Sequence, residues 1–241
     1  MILGSIAGPA LTGGGALQLH TPDGFLTPAV ALVMWAVTAV VVGFAVRQTN
    51  RSLDERAVPL MGVTAAFIFA GQMVNFPVAP GTSGHLLGGV LAAVLLGPWA
   101  GTLVMTAVVT VQALLFQDGG LVVLGANIFI MGIVGTLGAY AVYRFLAGLL
   151  GGESRARVPA AAVAAWLAVM GGALSISLML LASNATTLEV MGVILGVHAL
   201  IGIGEAAITV AALAFIQATR PDLFRLRDAF DQLRPRATQG A

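Results

Sequence analysis

Apolar residues run through this chain in long blocks, with neither the strict alternation of a half-buried strand nor a one-sided helical rhythm. Seven stretches, 29–46, 59–76, 85–97, 98–116, 121–147, 158–182 and 189–217, are cut apart by short polar or turn-forming segments. Most approach or exceed the roughly 20 residues a helix needs to cross a bilayer. A helix that is apolar on every side has no solvent face, so the pattern predicts an all-α integral membrane protein, a bundle of about seven transmembrane helices. The third stretch is short, and only Gly97-Pro98 separates it from the fourth; the two read either as a tight helical hairpin or as one re-entrant pair. The remaining breaks are Asn75-Phe76-Pro77 through Gly84, Gln117-Asp118-Gly119-Gly120, Gly151 to Pro159, and Ser183-Asn184-Ala185-Thr186-Thr187.

Composition agrees with the pattern. Hydrophobic residues make up 59% of the 241 and charged residues 9%, with a mean hydropathy of +0.99, whereas soluble domains carry roughly 25% charge. Such a chain has too little polar material to clothe a soluble core. With no cysteine, disulfides and thiolate metal sites are excluded. Lysine is absent, and all eleven arginines fall in three places: Arg47, Arg51 and Arg56; Arg144, Arg155 and Arg157; and Arg220, Arg225, Arg227, Arg234 and Arg236. Seven spans put all three clusters on one side, and the positive-inside rule makes that side cytoplasmic. Six would split them between both faces. The orientation places the segment before the first span outside, the C-terminus in the cytoplasm, and His20, His85, Asp118 and Asn184 at or near the outer face. His198 lies about 14 Å below the outer start of the last span, at a rise of 1.5 Å per residue. Glu205 sits seven residues deeper on the same helix face.

Two stripes of small residues repeat every fourth position: Gly62, Ala66 and Ala70, and Ala160, Ala164, Ala168 and Gly172. These read as packing seams, within the bundle or against another membrane subunit. The segment 218–241 interleaves Leu223, Phe224, Leu226, Phe230 and Leu233 with arginines and aspartates. It reads as a cytoplasmic tail: an amphipathic helix on the membrane or a partner, or a solvated stop-transfer segment.

The candidate chemistry gathers around the three histidines. Imidazole suits nickel, cobalt, copper and zinc, and intramembrane ionisable groups face the bundle interior or a cavity. Leu19-His20-Thr21-Pro22-Asp23-Gly24-Phe25-Leu26-Thr27-Pro28 is a short loop stiffened by Pro22 and Pro28 and bent at Gly24, suited to holding a ligand over an outer cavity. Gly81-Thr82-Ser83-Gly84-His85 places His85 at a helix edge after a glycine-rich turn. Gln112, Asp118 and Asn127 flank the outer end of the fourth and fifth spans, where they either bond the N-terminal loop as a second layer around a metal site or satisfy backbone at a helix turn. His198 and Glu205 form either a deeper relay or a buried structural pair.

LHTPDGFLTP resembles the N-terminal signature of the CbiM/NikM family, the substrate-binding components of energy-coupling-factor importers for cobalt and nickel. The resemblance continues through GTSGHLLGGVLAAVLLGPWAG (81–101), QALLFQDGGLVVLGANIFIMG (112–132) and HALIGIGEA (198–206), and so covers about residues 19 to 217. It implies a metal held in a flat four-nitrogen site by a terminal amine, the amide nitrogen and imidazole of the following residue, and a distant histidine. By motif these map to Leu19, His20 and His85; Asp23, Gln112, Asp118 and Asn127 are candidates, from their position alone, for the layer behind them. Fused chelate rings and tetragonal nitrogen coordination suit Ni(II). It also implies three partners besides the bilayer: a transmembrane coupling protein, cytoplasmic ATPase subunits and a small accessory membrane protein. The location implied is a prokaryotic plasma membrane, with Ni(II) or Co(II) as cargo, no prosthetic group and no nucleic-acid partner.

One feature departs from that pattern. Residues 1–18, MILGSIAGPALTGGGALQ, precede Leu19, and an acylated nitrogen there is no amine ligand. The leader lacks a basic n-region and reads poorly as a signal peptide. The expectation is that translation starts at Leu19, read as methionine from a TTG or CTG codon. The chain also has no Gly-x-x-x-x-Gly-Lys-Ser/Thr loop, so ATP hydrolysis falls to other subunits and no enzyme activity is expected. Two rivals are an importer component for an organic vitamin, which calls for stacking aromatics in the outer cavity, and an intramembrane metallohydrolase built on His198 and Glu205, which calls for a His-Glu-x-x-His helix that the chain lacks.

Overall fold

A computed structural model describes residues 20–51, 57–74, 76–79 and 82–224. The leader with Leu19, Arg56 and the tail from Arg225 onward lie outside the described residues. Among the described residues the chain is helical apart from one hairpin and the connecting turns. Its elements are α1 (Pro28–Asn50), α2 (Ala57–Gln72), β1 (Phe76–Ala79), β2 (Thr82–Gly84), α3 (Gly89–Leu96), α4 (Pro98–Leu115), α5 (Leu124–Ile128), a π-helical stretch (Phe129–Gly138), α6 (Ala139–Leu149), α7 (Glu153–Ala182) and α8 (Leu188–Thr219). α5, the π-helical stretch and α6 run on as one 26-residue apolar rod, Leu124–Leu149, and among the described residues five helices are long and apolar enough to cross a membrane. The outer surface is greasy: Leu32, Val40, Val63 and Phe215 are all exposed. Facing lipid, such side chains remain in an apolar solvent, and the all-round hydropathy of the sequence follows from that.

Helix ends are set by local chemistry. Proline opens α1 and α4 at their first helical position, where its missing N–H has no intrahelical partner to lose. Gly97, with φ +83°, turns the chain between α3 and α4. The Thr187 side chain accepts the Val190 amide and caps α8. Gly151 and Gly152, both at positive φ, make the turn into α7. That helix begins at Glu153, six residues before Pro159, so the break expected to reach Pro159 is only a two-glycine turn. Glu153 stabilises the early start as an acidic residue in the first turn, paired with Arg144.

The core has three clusters. The first packs Val90, Leu91, Val94 and Leu95 of α3 against Tyr143 of α6, Leu213 of α8 and Ala160, Ala164 and Ala168 of α7. The alanine stripe of α7 is therefore an internal seam, where the small side chains let α7 approach α3 and α6 closely. Gly172 continues it beside Ile130. The stripe of α2 does the opposite. Gly62, Ala66 and Ala70 are exposed, and the buried face of that helix is Thr64, Ile68 and Gln72, rotated two residues away. Packing inside the bundle is excluded for that stripe.

The third apolar stretch, 85–97, is also corrected. Only Gly89–Leu96 is helical, about 12 Å long at 1.5 Å per residue, less than half the hydrocarbon thickness of roughly 30 Å. Residues 85–88 lead into it in non-helical conformation. Gly89 through Leu95 are all buried, enclosed by α4, α6, α7 and the π-helical stretch. A Cβ on Gly89 would fall within 2.3 Å of the Gly135 carbonyl, so only glycine permits that crossing. Irregular backbone at membrane depth is tolerated where protein encloses it.

Two ends of the bundle can be told apart. Thr27 N–H donates to Ser183 Oγ, joining the start of α1 to the α7–α8 turn. Trp35 and Thr38 donate to the Val122 and Gly125 carbonyls, bringing the start of α5 to the same end. At the other end Phe44 meets Trp99, and Arg157 lies over the Phe224 ring, 4.0 Å from its centroid.

Candidate metal site

The loop 20–27 is tied down by residues about one hundred positions away. Asn127, buried at the end of α5, meets the Thr21 peptide with both functional atoms: its Oδ1 accepts the Thr21 N–H at 3.1 Å and its Nδ2 donates to the Thr21 carbonyl at 3.0 Å. Gly120 N–H donates to the same carbonyl at 2.9 Å. The exposed Asp23 carboxylate accepts the N–H groups of Leu121, Val122 and Val123 at 3.1, 2.9 and 3.2 Å. These amides precede α5 and point along its positive end, the place where an anion is favoured. The turn that receives the loop is shaped for it. Gln117 and Gly119 both have positive φ. A Cβ on Gly119 would sit 2.9 Å from the His20 Cβ, and one on Gly120 would sit 2.1 Å from Asp23 Oδ1. Glycines at 119 and 120 are what allow the loop to lie flat on the turn.

This docking buries His20. Its backbone N–H donates to Asp118 Oδ1 at 3.3 Å, and its Nδ1 lies 3.2 Å from the same oxygen without the alignment of a hydrogen bond. Both ring nitrogens are buried and lack a hydrogen-bond partner. Burying an imidazole nitrogen unpaired costs free energy of order 1–3 kcal/mol, and a bound ligand removes that cost.

His85 comes to the same place from the other side. Its ring centroid is 5.5 Å from that of His20, with the planes at 61°. His85 stands where β2 ends, four residues before α3 rather than at the helix edge. Its Nδ1 is 2.8 Å from the Leu86 carbonyl; an N–H there leaves the lone pair on Nε2. Metal-binding histidines are commonly oriented by such a bond from the other ring nitrogen.

The remaining residues sort by position. Asp118, Asn127 and Asp23 all touch the N-terminal loop, whereas the Gln112 side chain does not. Gln112 Nε2 donates to Gln72 Oε1 at 2.8 Å, and its backbone carbonyl accepts from Phe116 and Asp118 at 3.1 Å each, shaping the turn that presents Asp118. Gln72, which sequence reasoning passed over, donates in turn to the Leu87 carbonyl at 2.8 Å. A fully buried primary amide in an otherwise apolar helix was the available signal. His198 and Glu205 have separate partners. His198 Nδ1 pairs with the Ile194 carbonyl of its own helix at 2.8 Å, while the buried Glu205 accepts the amides of Leu87 and Gly88 and the Thr209 hydroxyl.

Residues 20–223 match the family CbiM, described as the cobalt uptake substrate-specific transmembrane region. This chain belongs to the CbiM family. The match spans every described helix and includes His20, His85 and the loop between α4 and α5. A metal transport protein of Haloquadratum walsbyi is 45% identical to this CbiM-family chain over 208 residues, 85% of this chain and 93% of that one. The fused nickel transport protein NikMN of Rhodobacter capsulatus is 32% identical over 228 residues, covering 88% of this chain and 65% of that longer protein. A crystal structure of a transition metal transporter superposes with a TM-score of 0.74 at 32% identity, covering 90% of this chain and all of that one. The family is one of metal transport and not of enzymes, and with it the metallohydrolase reading falls away.

Proposed function

We propose that this CbiM-family chain captures Ni(II) or Co(II) at the outer face of a prokaryotic plasma membrane, in the site formed by the N-terminal loop and His85. The carrying observation is the convergence of His20 and His85, 65 residues apart in sequence, with ring centroids at 5.5 Å. A metal bound to an imidazole nitrogen at about 2.1 Å lies roughly 3.2 Å from the ring centroid, so two rings on one ion stand about 4.5 Å apart at a right angle and about 6.5 Å apart when opposed. The separation falls between those limits, and small ring rotations reach either.

Among the described residues no group of three His, Asp or Glu side chains is placed to hold an ion. Backbone and terminal nitrogens beside His20 complete the ligand set in this reading: the His20 amide, and the amine of residue 19 in a chain that starts there. Such a set is rich in nitrogen and poor in carboxylate, and it favours Ni(II) and Co(II) over hard oxygen-seeking cations. Asp118, beside both the amide and the ring of His20, offsets the charge of the ion. Arginines at one end of the bundle and none at the other support a cytoplasmic C-terminus. Movement of the metal inward is powered by ATPase subunits through a transmembrane coupling protein, with a small accessory membrane protein in the assembly. Exposed apolar faces on α1, α2 and α8 leave room for membrane partners.

The test is metal titration of the purified protein in detergent. His20→Ala and His85→Ala each abolish tight Ni(II) and Co(II) binding while elution volume and helical circular dichroism stay at wild type. Wild-type affinity in either variant refutes the site.

A further inference from the structure

The structure assigns to Glu205, acting together with Gln72, the positioning of His85; this rests on the metal site proposed above. Glu205 is 1% exposed and stands on α8, 120 positions from His85. Its two oxygens are used on one short piece of backbone: Oε2 accepts the Leu87 N–H at 2.5 Å and Oε1 the Gly88 N–H at 3.0 Å. Thr209, one turn further along α8, donates to Oε1 at 3.4 Å. On the opposite side of the Leu87 residue, Gln72 Nε2 takes the carbonyl at 2.8 Å. Leu87 is thus gripped through both its donor and its acceptor, by helices from opposite ends of the sequence.

This grip is needed because residues 85–88 are not helical. They cannot hold themselves by i to i−4 bonds, and no water in a membrane interior would satisfy their amides. Gly88, at φ +77°, is the residue that opens α3. A carboxylate at this point meets the positive end of α3 and fixes where the helix starts. His85 is four residues before that start, and its ring nitrogen bonds the Leu86 carbonyl, the group immediately preceding the gripped amide. The direction in which His85 presents Nε2 therefore depends on the peptide that Glu205 and Gln72 hold. The same chain of bonds runs on from Gln72 to Gln112, whose carbonyl receives the Asp118 amide. One hydrogen-bonded path links the seats of both histidines. Glu205 touches no metal in this scheme; it acts through the peptide of Leu87.

The experiment compares wild type, His85→Ala, Glu205→Gln and Glu205→Asp as purified full-length protein, by Ni(II) titration against a competing chelator and by the ligand-field absorption bands of the nickel complex. Glu205→Gln puts an NH2 group against an amide N–H, and Glu205→Asp keeps the charge but withdraws it by one methylene. Expected are a 10- to 100-fold loss of affinity in Glu205→Gln, as outer-shell partners of metal ligands typically give, a smaller loss in Glu205→Asp, and shifted bands in both. The bands report geometry at the ion, which a general loss of stability does not move. Wild-type affinity, or lower affinity with unshifted bands, in a folded Glu205 variant overturns the assignment; Glu205→Asp decides if Glu205→Gln does not fold. Wild-type binding by His85→Ala instead overturns the metal site itself, so the two failures are distinct.

Discussion

Asn127→Ala tests whether docking of the N-terminal loop controls metal capture. The substitution removes the two bonds that Asn127 makes to Thr21, at 3.1 and 3.0 Å. Each neutral hydrogen bond is worth about 0.5–1.5 kcal/mol net. The Thr21 carbonyl keeps the Gly120 N–H at 2.9 Å, but the Thr21 N–H loses its partner in a half-buried position. Together the loss is about 2–3 kcal/mol of docking free energy, an upper bound of roughly 30- to 150-fold in affinity when only the docked loop binds metal. Asp23 and Asp118 still tether the loop on either side of Thr21, so the expected loss is 10- to 50-fold. Competition titration with a chelator of known nickel affinity measures it, with elution volume and circular dichroism as controls for folding. Affinity within twofold of wild type in a folded protein refutes the idea that the loop must dock on α5 to bind.

Two further outcomes are expected. A cysteine at position 52, introduced as Ser52→Cys into this cysteine-free chain, is not labelled by an impermeant thiol reagent added outside intact cells and is labelled once the membrane is opened; labelling from outside overturns the orientation. Intact mass of the native protein places its first residue at position 19, and a form carrying the extra 18 residues binds Ni(II) at least tenfold more weakly, because an acylated nitrogen lacks the lone pair of an amine. Equal binding by both forms removes the amine from the ligand set.

Much of the fold is legible in the apolar blocks, because a bilayer requires long uninterrupted apolar stretches and tolerates polar residues only where they are used. The same rule made His20, Asp23, His85, Asp118, Asn127 and Glu205 visible, since each is a polar group in or beside a greasy run. The motifs carried more than the hydropathy did: they paired His20 with His85 before any distance was known. Hydropathy alone gave no sign that residues 85–88 depart from helix, since an enclosed backbone and a helical one can be equally apolar.

Rotation about the helix axis was decided by the tertiary structure. Both small-residue stripes satisfy the same four-residue spacing, yet α7 turns Ala160, Ala164 and Ala168 into the core while α2 turns Gly62, Ala66 and Ala70 outward and buries Thr64, Ile68 and Gln72. In lipid both faces of such a helix are apolar, so burial gives no preference; the choice falls to close packing and to the few polar side chains that must find partners. Gln72 has to reach the Leu87 carbonyl and Gln112, and that requirement turns α2. Glu205 likewise finds only the Thr209 hydroxyl on its own helix and takes its other partners from amides 117 and 118 positions away. The sequence by itself determined that the chain lives in a membrane and which polar groups it keeps there. Only the assembled bundle decided which of those groups meet, because most of their partners are backbone amides and carbonyls, which every residue carries and no sequence pattern marks.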